Sequence, residues 1–216
     1  MQILEKECRK FIKAEFSENG DSAHDLQHIL RVVKNAKLIL EKEEADPEVV
    51  IAAAWLHDCV IVPKNHPDRK RASALAAEKA AEFLGQSDFS HEKIDAVKHA
   101  IESHSFSAGI FPESIEAKIV QDADRLDAIG AIGIARCLMV GGKLGRDLYH
   151  PEDPLCENRD PDDTAWTIDH FYEKLFKLPE LMHTQTAKEE AKKRVQFMEK
   201  YLEELKREVV PPSKRP

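Results

Sequence analysis

The stretch Asp25-Leu26-Gln27-His28-Ile29-Leu30-Arg31-Val32-Val33-Lys34-Asn35-Ala36-Lys37-Leu38-Ile39-Leu40 decides the fold class. Leu26, Ile29, Leu30, Val33, Ala36 and Leu40 recur at the three- and four-residue spacing of one helix face, within a helix expected over 25–44. Outward from it the same period recurs. Residues 2–17 alternate apolar and charged positions at helical spacing, and Pro47 suits the first turn of a helix reaching about Asp58. Helices are expected over 69–84 and 91–103, separated by Gly85-Gln86-Ser87. The next runs from Pro112-Glu113 to about Val140, where Gly141-Gly142 ends it. After an irregular loop over 141–163, Asp163-Thr164 is placed to cap a helix over 165–177, and a last helix covers 186–207. No period-2 strand series and no internal repeat competes with this reading. It gives an all-α bundle folded as one domain over 1–208, with 209–216 a frayed tail.

Composition agrees and excludes several functions. Eight glycines in 216 residues are about 4 %, against a usual ~7 %, and 42 % apolar with 33 % charged residues describes a soluble globular chain. Lys and Arg number 32 against 40 Asp and Glu, a net charge of −8. Coating a nucleic-acid polymer needs a cationic surface, so that role is excluded, while binding one small anion is not. Residues 151–163 carry Glu152, Asp153, Glu157, Asp160, Asp162 and Asp163 against Arg159, so most of the excess is local. Met1 to Glu18 has no apolar core of a signal peptide, and no run approaches ~18 apolar residues, so neither export nor a membrane span is expected. Cys8, Cys59, Cys137 and Cys156 show no C-x-x-C spacing and read as reduced thiols of a cytoplasmic protein. In the last helix Ala191, Val195, Met198, Leu202 and Leu205 form a stripe suited to packing on its own chain or to a homodimer seam.

Three polar clusters carry the chemistry. His24, His28, Arg31 and Asn35 fall within an arc of ~60° on one helix, on a polar seam that suits either a solvated face or a ligand. Ala52-Ala53-Ala54-Trp55-Leu56 is an apolar helix that ends in His57-Asp58. Burying two such groups requires partners for both, and Asp58 either orients the His57 ring or ligates beside it. Gln121-Asp122-Ala123-Asp124-Arg125-Leu126-Asp127 puts three carboxylates into an otherwise apolar helix, where they repel one another unless a cation or hydrogen bonds compensate. Together His28, His57, Asp58 and Asp124 make a His2Asp2 set on three helices, a donor type that suits Mn2+, Fe2+, Co2+, Ni2+ or Zn2+. The lack of thiol ligands argues against a closed structural zinc site.

The order H…HD…D is carried by His28 in His28-Ile29-Leu30-Arg31-Val32, by Leu56-His57-Asp58 and by Ala123-Asp124-Arg125-Leu126. It resembles the HD superfamily of metal-dependent phosphohydrolases over residues 21–140. Gln121 to Arg136, with Ser103-His104-Ser105-Phe106-Ser107 before it, resembles a bacterial subgroup that includes nucleotide pyrophosphohydrolases. The resemblance implies an HD-domain helical bundle with His28, His57, Asp58 and Asp124 as ligands of one divalent ion: Mn, Co, Ni, Fe, Mg or Zn. Dinuclear members carry a further histidine where this chain offers Ser73, and pair it with one resembling His104. His104 is therefore expected to line the pocket rather than ligate. Some mononuclear members place a glutamate three or four residues after the HD pair, where this chain has Ile61 and Val62. That leaves Asp127 or His104 to move protons. Phosphate capture falls to Lys64, Arg69 and Arg71, and to Arg31 and Arg125 beside the ligands.

The function so implied is hydrolysis of a small phosphorylated molecule, a nucleotide, with triphosphate cut to monophosphate and pyrophosphate as the first choice. A 5′-nucleotide phosphomonoesterase would use the same ligands. A non-catalytic module that holds metal or nucleotide is the reading from a different class.

Overall fold

Asp46 begins the helix around which the N-terminal half is built. Its Oδ1 accepts from the Glu48 amide at 2.9 Å, Pro47 sits at the first helical position, and α3 runs Pro47–Leu56 with every residue from Val49 to Leu56 buried. A helix apolar all round must be packed on all sides. α1 (Gln2–Asn19), α2 (Leu26–Leu40), α4 (Ala72–Gly85) and α5 (His91–His104) all pack against it, and α4 also packs along α5. Ala52, Ala53 and Ala54 let these neighbours approach closely. Ile51 and Leu56 each contribute about 1.5–3 kcal/mol by burial. Outside this core, Phe11 stacks on Phe83 with centroids 4.2 Å apart, and Lys93 bridges Asp46 at 2.8 Å and Glu48 at 2.6 Å.

The computed structural model describes residues 1–19, 26–60, 62, 71–105 and 108–209, with the side chains of 17–19 excepted. Helices continue with α6 (Ile115–Asp127), α7 (Gly130–Lys143), the short α8 (Asp169–Glu173), a 3₁₀ segment Leu175–Leu181, and α9 (Gln185–Val209). Among the described residues the only β-type pairing is an isolated bridge between Asp147 and Trp166, so the fold is all-α. No described helix is long and apolar enough to cross a membrane. All four cysteines are free thiols.

The chain divides into two compact units, Met1–Asp124 and Arg125–Pro216, where the sequence reading treats 1–208 as one domain; the division falls within α6. In the second unit α9 packs on α7 and on the 3₁₀ segment. Ala191, Met198 and Leu202 of the α9 stripe are buried within the chain itself, and the Met198 sulfur accepts from the Gly130 amide at 3.1 Å.

Three expectations about element boundaries are corrected. The helix read as continuous from Pro112 to Val140 is two helices. Ile129 is extended and Gly130 adopts φ +78°, a left-handed turn that β-carbon-bearing residues disfavour, so the chain breaks between α6 and α7. Gly141 and Gly142, read as the stop signal, lie inside α7, which runs on to Lys143. A β-carbon on Gly141 would come within 2.1 Å of the Thr167 hydroxyl, so this glycine serves close packing rather than termination. Finally, Asp163-Thr164 caps no helix. Asp162 accepts from the Thr164 amide and hydroxyl, Asp163 pairs with His170 at 2.6 Å, and the helix expected over 165–177 is reduced to α8 and the 3₁₀ segment. Most of the tail expected over 209–216 lies outside the described residues, and Val209 ends α9.

Candidate metal centre

α2 carries His28 on a wider buried face than the apolar stripe indicates. His28, Val32, Asn35 and Ile39, at steps of four, three and four, are all buried, alongside Ile29, Val33 and Ala36. His28 is 4 % exposed, which removes the solvated-face alternative. His57 follows the last residue of α3 and is fully buried, Asp58 follows it, His104 is the last residue of α5, and Asp124 lies on α6.

These five side chains meet within the first unit. His57 Nε2 lies 3.3 Å from His28 Nε2 and 3.8 Å from Asp58 Oδ2. His28 Nε2 is also 3.7 Å from Asp58 Oδ2 and 3.4 Å from Asp124 Oδ1. His104 Nε2 stands 3.6 Å from the other Asp58 oxygen, and its ring meets that of His57 edge to face with centroids 4.9 Å apart. One donor atom each from His28, His57 and Asp58 lies within 4.8 Å of the other two, a spacing that fits a shared metal ion.

Helix ends orient two of the rings. The last carbonyls of a helix have no partner within it. In α3 the Ala54 carbonyl accepts from His57 Nδ1 at 2.9 Å, and in α5 the Ile101 carbonyl accepts from His104 Nδ1 at 2.5 Å. A carbonyl can only accept, so each Nδ1 carries the proton and the His57 Nε2 lone pair faces into the cluster. The ring of His57 is thus oriented by a main-chain carbonyl, with Asp58 turned toward the cluster. The same helix ends place partial negative charge where the rings converge, which favours a cation there.

Electrostatics separates the two anchored histidines. Burial pushes the His57 imidazole down to about 4, against the pull of Asp58, so it is neutral at pH 7 and available as a ligand. Burial also pushes His104 down, but the hydrogen bond and charge of Asp58, with help from Asp124 and the Ile101 carbonyl, outweigh it and leave His104 raised. The cluster therefore offers the neutral His57 imidazole, with the His28 ring and carboxylate oxygens beside it, the donor types of a divalent transition metal, and the residues fit such an ion.

The other residues singled out in the sequence lie as follows. Asp127 belongs to the second unit, is buried, and is ion-paired with Arg136. Arg125 donates to the Leu181 carbonyl and approaches His183 Nε2 at 3.4 Å, so its guanidinium is engaged within its own unit. Arg31 is half-buried one turn beyond His28, and Arg71 is exposed just before α4. Ser73 and Val62 are buried. His24, Lys64, Arg69 and Ile61 lie outside the described residues. Two side chains that the sequence reading named without giving a role bond beside Asp124 and His104. Asn35 Nδ2 donates to the Ala123 carbonyl at 2.9 Å, and Gln121 Nε2 donates to the Ser103 carbonyl at 2.6 Å. The only sequence signal for them was an amide at a core-facing helical position.

Comparison with known proteins identifies the family. Residues 25–129 match the HD domain family. The uncharacterized protein YpgQ of Bacillus subtilis (strain 168) is 39 % identical over 192 residues, covering 87 % of this chain and 85 % of the relative. A crystal structure of Bacillus subtilis YpgQ in complex with ADP superposes with TM-score 0.73 at 34 % identity over 97 % of this chain and 96 % of that one. A crystal structure of an HD-superfamily hydrolase from Bacillus thuringiensis superposes with TM-score 0.76 at 34 % identity, covering 97 % and 99 %.

Proposed function

Because the chain belongs to the HD-domain family, we propose that it is a metal-dependent phosphohydrolase acting on nucleotides, with a nucleoside triphosphate cut to monophosphate and pyrophosphate. The observation that carries this reading is the convergence of His28 Nε2, His57 Nε2 and an Asp58 oxygen on one point, with Asp124 alongside. The ADP bound to the Bacillus subtilis relative supports a nucleotide as the ligand class.

His28, His57, Asp58 and Asp124 hold one divalent ion. Such an ion, when bound, lowers the pKa of a water and neutralises charge on phosphoryl oxygens. Hydrolysis adds the elements of water across the α–β phosphoanhydride. The water oxygen joins the α-phosphorus, the bridging oxygen leaves with pyrophosphate, and a proton must be taken up. His104 is the group placed to move that proton, because its Nε2 stands in the cluster against Asp58 while the Asp127 carboxylate is held by Arg136. Arg31, next to His28 on α2, and Arg71, with Lys64 and Arg69 nearby in sequence, supply positive charge to the phosphates.

The test is release of phosphate and of pyrophosphate from nucleoside mono-, di- and triphosphates with Mn2+, Co2+, Ni2+ or Mg2+. Pyrophosphate released from triphosphates, and lost in Asp124→Ala, supports the reading. Phosphate from monophosphates alone points to the monoesterase. Metal-dependent nucleotide binding without turnover points to the non-catalytic module. Turnover unchanged in Asp124→Ala overturns the ligand set.

A further inference from the structure

Asp124 is carried on α6, and a carboxylate can share a metal with His28 only if α6 sits against α2 in one register. The His28–Asp124 approach is one point of contact and does not by itself set that register. A second point is present. Asn35 lies seven residues after His28 on α2, two turns along the same face. Its side-chain amide donates to the carbonyl of Ala123, the residue before Asp124. α6 is held from a third direction as well. One turn before Asp124, Gln121 reaches the carbonyl of Ser103, the residue before His104. That carbonyl belongs to the last turn of α5, where no intrahelical amide remains to fill it.

Both amides are buried, at 5 % and 3 % exposure, so neither can exchange its protein acceptor for bulk water without opening the core. Hydrogen bonds tolerate only a few tenths of an ångström in length. Two of them, made from different helices to main-chain atoms adjacent to Asp124 and His104, therefore fix where those side chains begin. We infer that Asn35 and Gln121 are positioning residues of the metal centre: they lock α6 to α2 and α5 in the register that brings Asp124 to His28 and holds His104 against Asp58. The inference rests on the metal-site reading above and assigns to two amides the work of orienting a ligand and a pocket histidine they do not touch.

The test uses the full-length chain with Mn2+ and with Co2+. Asn35→Leu and Gln121→Met keep side-chain volume and remove the donor, while Ile12→Val, buried on α1, is a control outside the cluster that loses stability. Mn2+ affinity is measured by calorimetry, the Co2+ absorption spectrum reports ligand geometry, and melting of the metal-free proteins reports stability. The expected result is a loss of Mn2+ affinity of about 10- to 100-fold in each amide variant. It comes with an altered Co2+ spectrum, whereas Ile12→Val melts lower with affinity and spectrum unchanged. If both amide variants melt lower but keep wild-type affinity and spectrum, the amides are structural only and the inference is overturned. If one variant does not fold, the other decides. A wild-type chain that binds neither ion overturns the metal-site reading itself, a failure distinct from normal binding in the variants.

Discussion

Two buried polar clusters, one in each compact unit, are built from similar residue types and differ in how they are satisfied. In the second unit, Asp169 is fully buried and takes both oxygens into a matched set. Arg159 donates to it twice, once from Nη2 at 2.7 Å, the Asp162 amide donates at 2.7 Å, and the Cys156 thiol donates as well. Donors meet acceptors and opposite charges cancel. In the first unit His57 Nε2, an acceptor because its proton is on Nδ1, faces another imidazole Nε2 at 3.3 Å and carboxylate oxygens beyond it. There a ring acceptor and the carboxylate oxygens of Asp58 and Asp124 crowd one place. A cluster of the first kind closes on itself and holds the fold, and one of the second kind calls for a cation. The acidic excess of 151–163 belongs to the first kind. Asp153 accepts from the Glu157 and Asn158 amides and Asp162 from Thr164, so these charges shape their own loop.

The largest effect that tests this contrast is loss of a ligand. His57→Ala is expected to lower metal-dependent turnover by more than about 100-fold, since even outer-shell changes cost 10–100-fold. The metal-free protein should keep its helical circular-dichroism signal. Next, Asp169→Asn strands the Arg159 charge and is expected to cost about 3 kcal/mol of stability, a fall in Tm of roughly 6–12 °C, read by thermal melting. Metal affinity of the folded variant should not change. If it falls with stability, the two clusters are not separate in kind.

Acid gives a third, smaller effect. Burial alone would raise the Asp169 carboxyl, but the Arg159 hydrogen bonds, the Asp162 amide and the Cys156 thiol outweigh it and hold it below its ordinary value. A depressed carboxylate stabilises the fold above its unfolded pKa of about 3.9, and that contribution is lost as pH falls through the lower folded value. Melting followed from pH 5 to pH 3 should show a drop that is shallower in Asp169→Asn. The smallest effect is expected for Cys156→Ala, which removes one weak donor of four and should cost about 1 kcal/mol or less. A larger loss in chemical denaturation would mean that the thiol, at φ 56°, does more than complete the set.

How much of this could be read from the sequence follows from what each feature depends on. His57-Asp58 and Asp124 stood out because polar residues interrupt helices that are otherwise apolar, and the structure brings both to the cluster with His28. His28 itself was harder, since its row through Val32, Asn35 and Ile39 is buried by neighbours that the helical period does not name. The break after α6 was hidden because glycine plays opposite parts nearby: Gly130 turns left-handed, while Gly141 packs inside a helix. That break has a chemical consequence. In one continuous helix Asp127 and Arg136 would stand about 13 Å apart along the axis. The turn at 128–130 is what lets them pair.

On the proposed function, His28, His57, Asp58 and Asp124 bind one divalent ion. Equilibrium titration of the metal-stripped chain with Mn2+ at neutral pH tests it most directly, with free ion counted by electron paramagnetic resonance. One ion bound per chain is expected in the wild type and in Asp169→Asn, and none at the same concentrations in Asp124→Ala. No bound ion in the wild type, or one retained undiminished in Asp124→Ala, would contradict it.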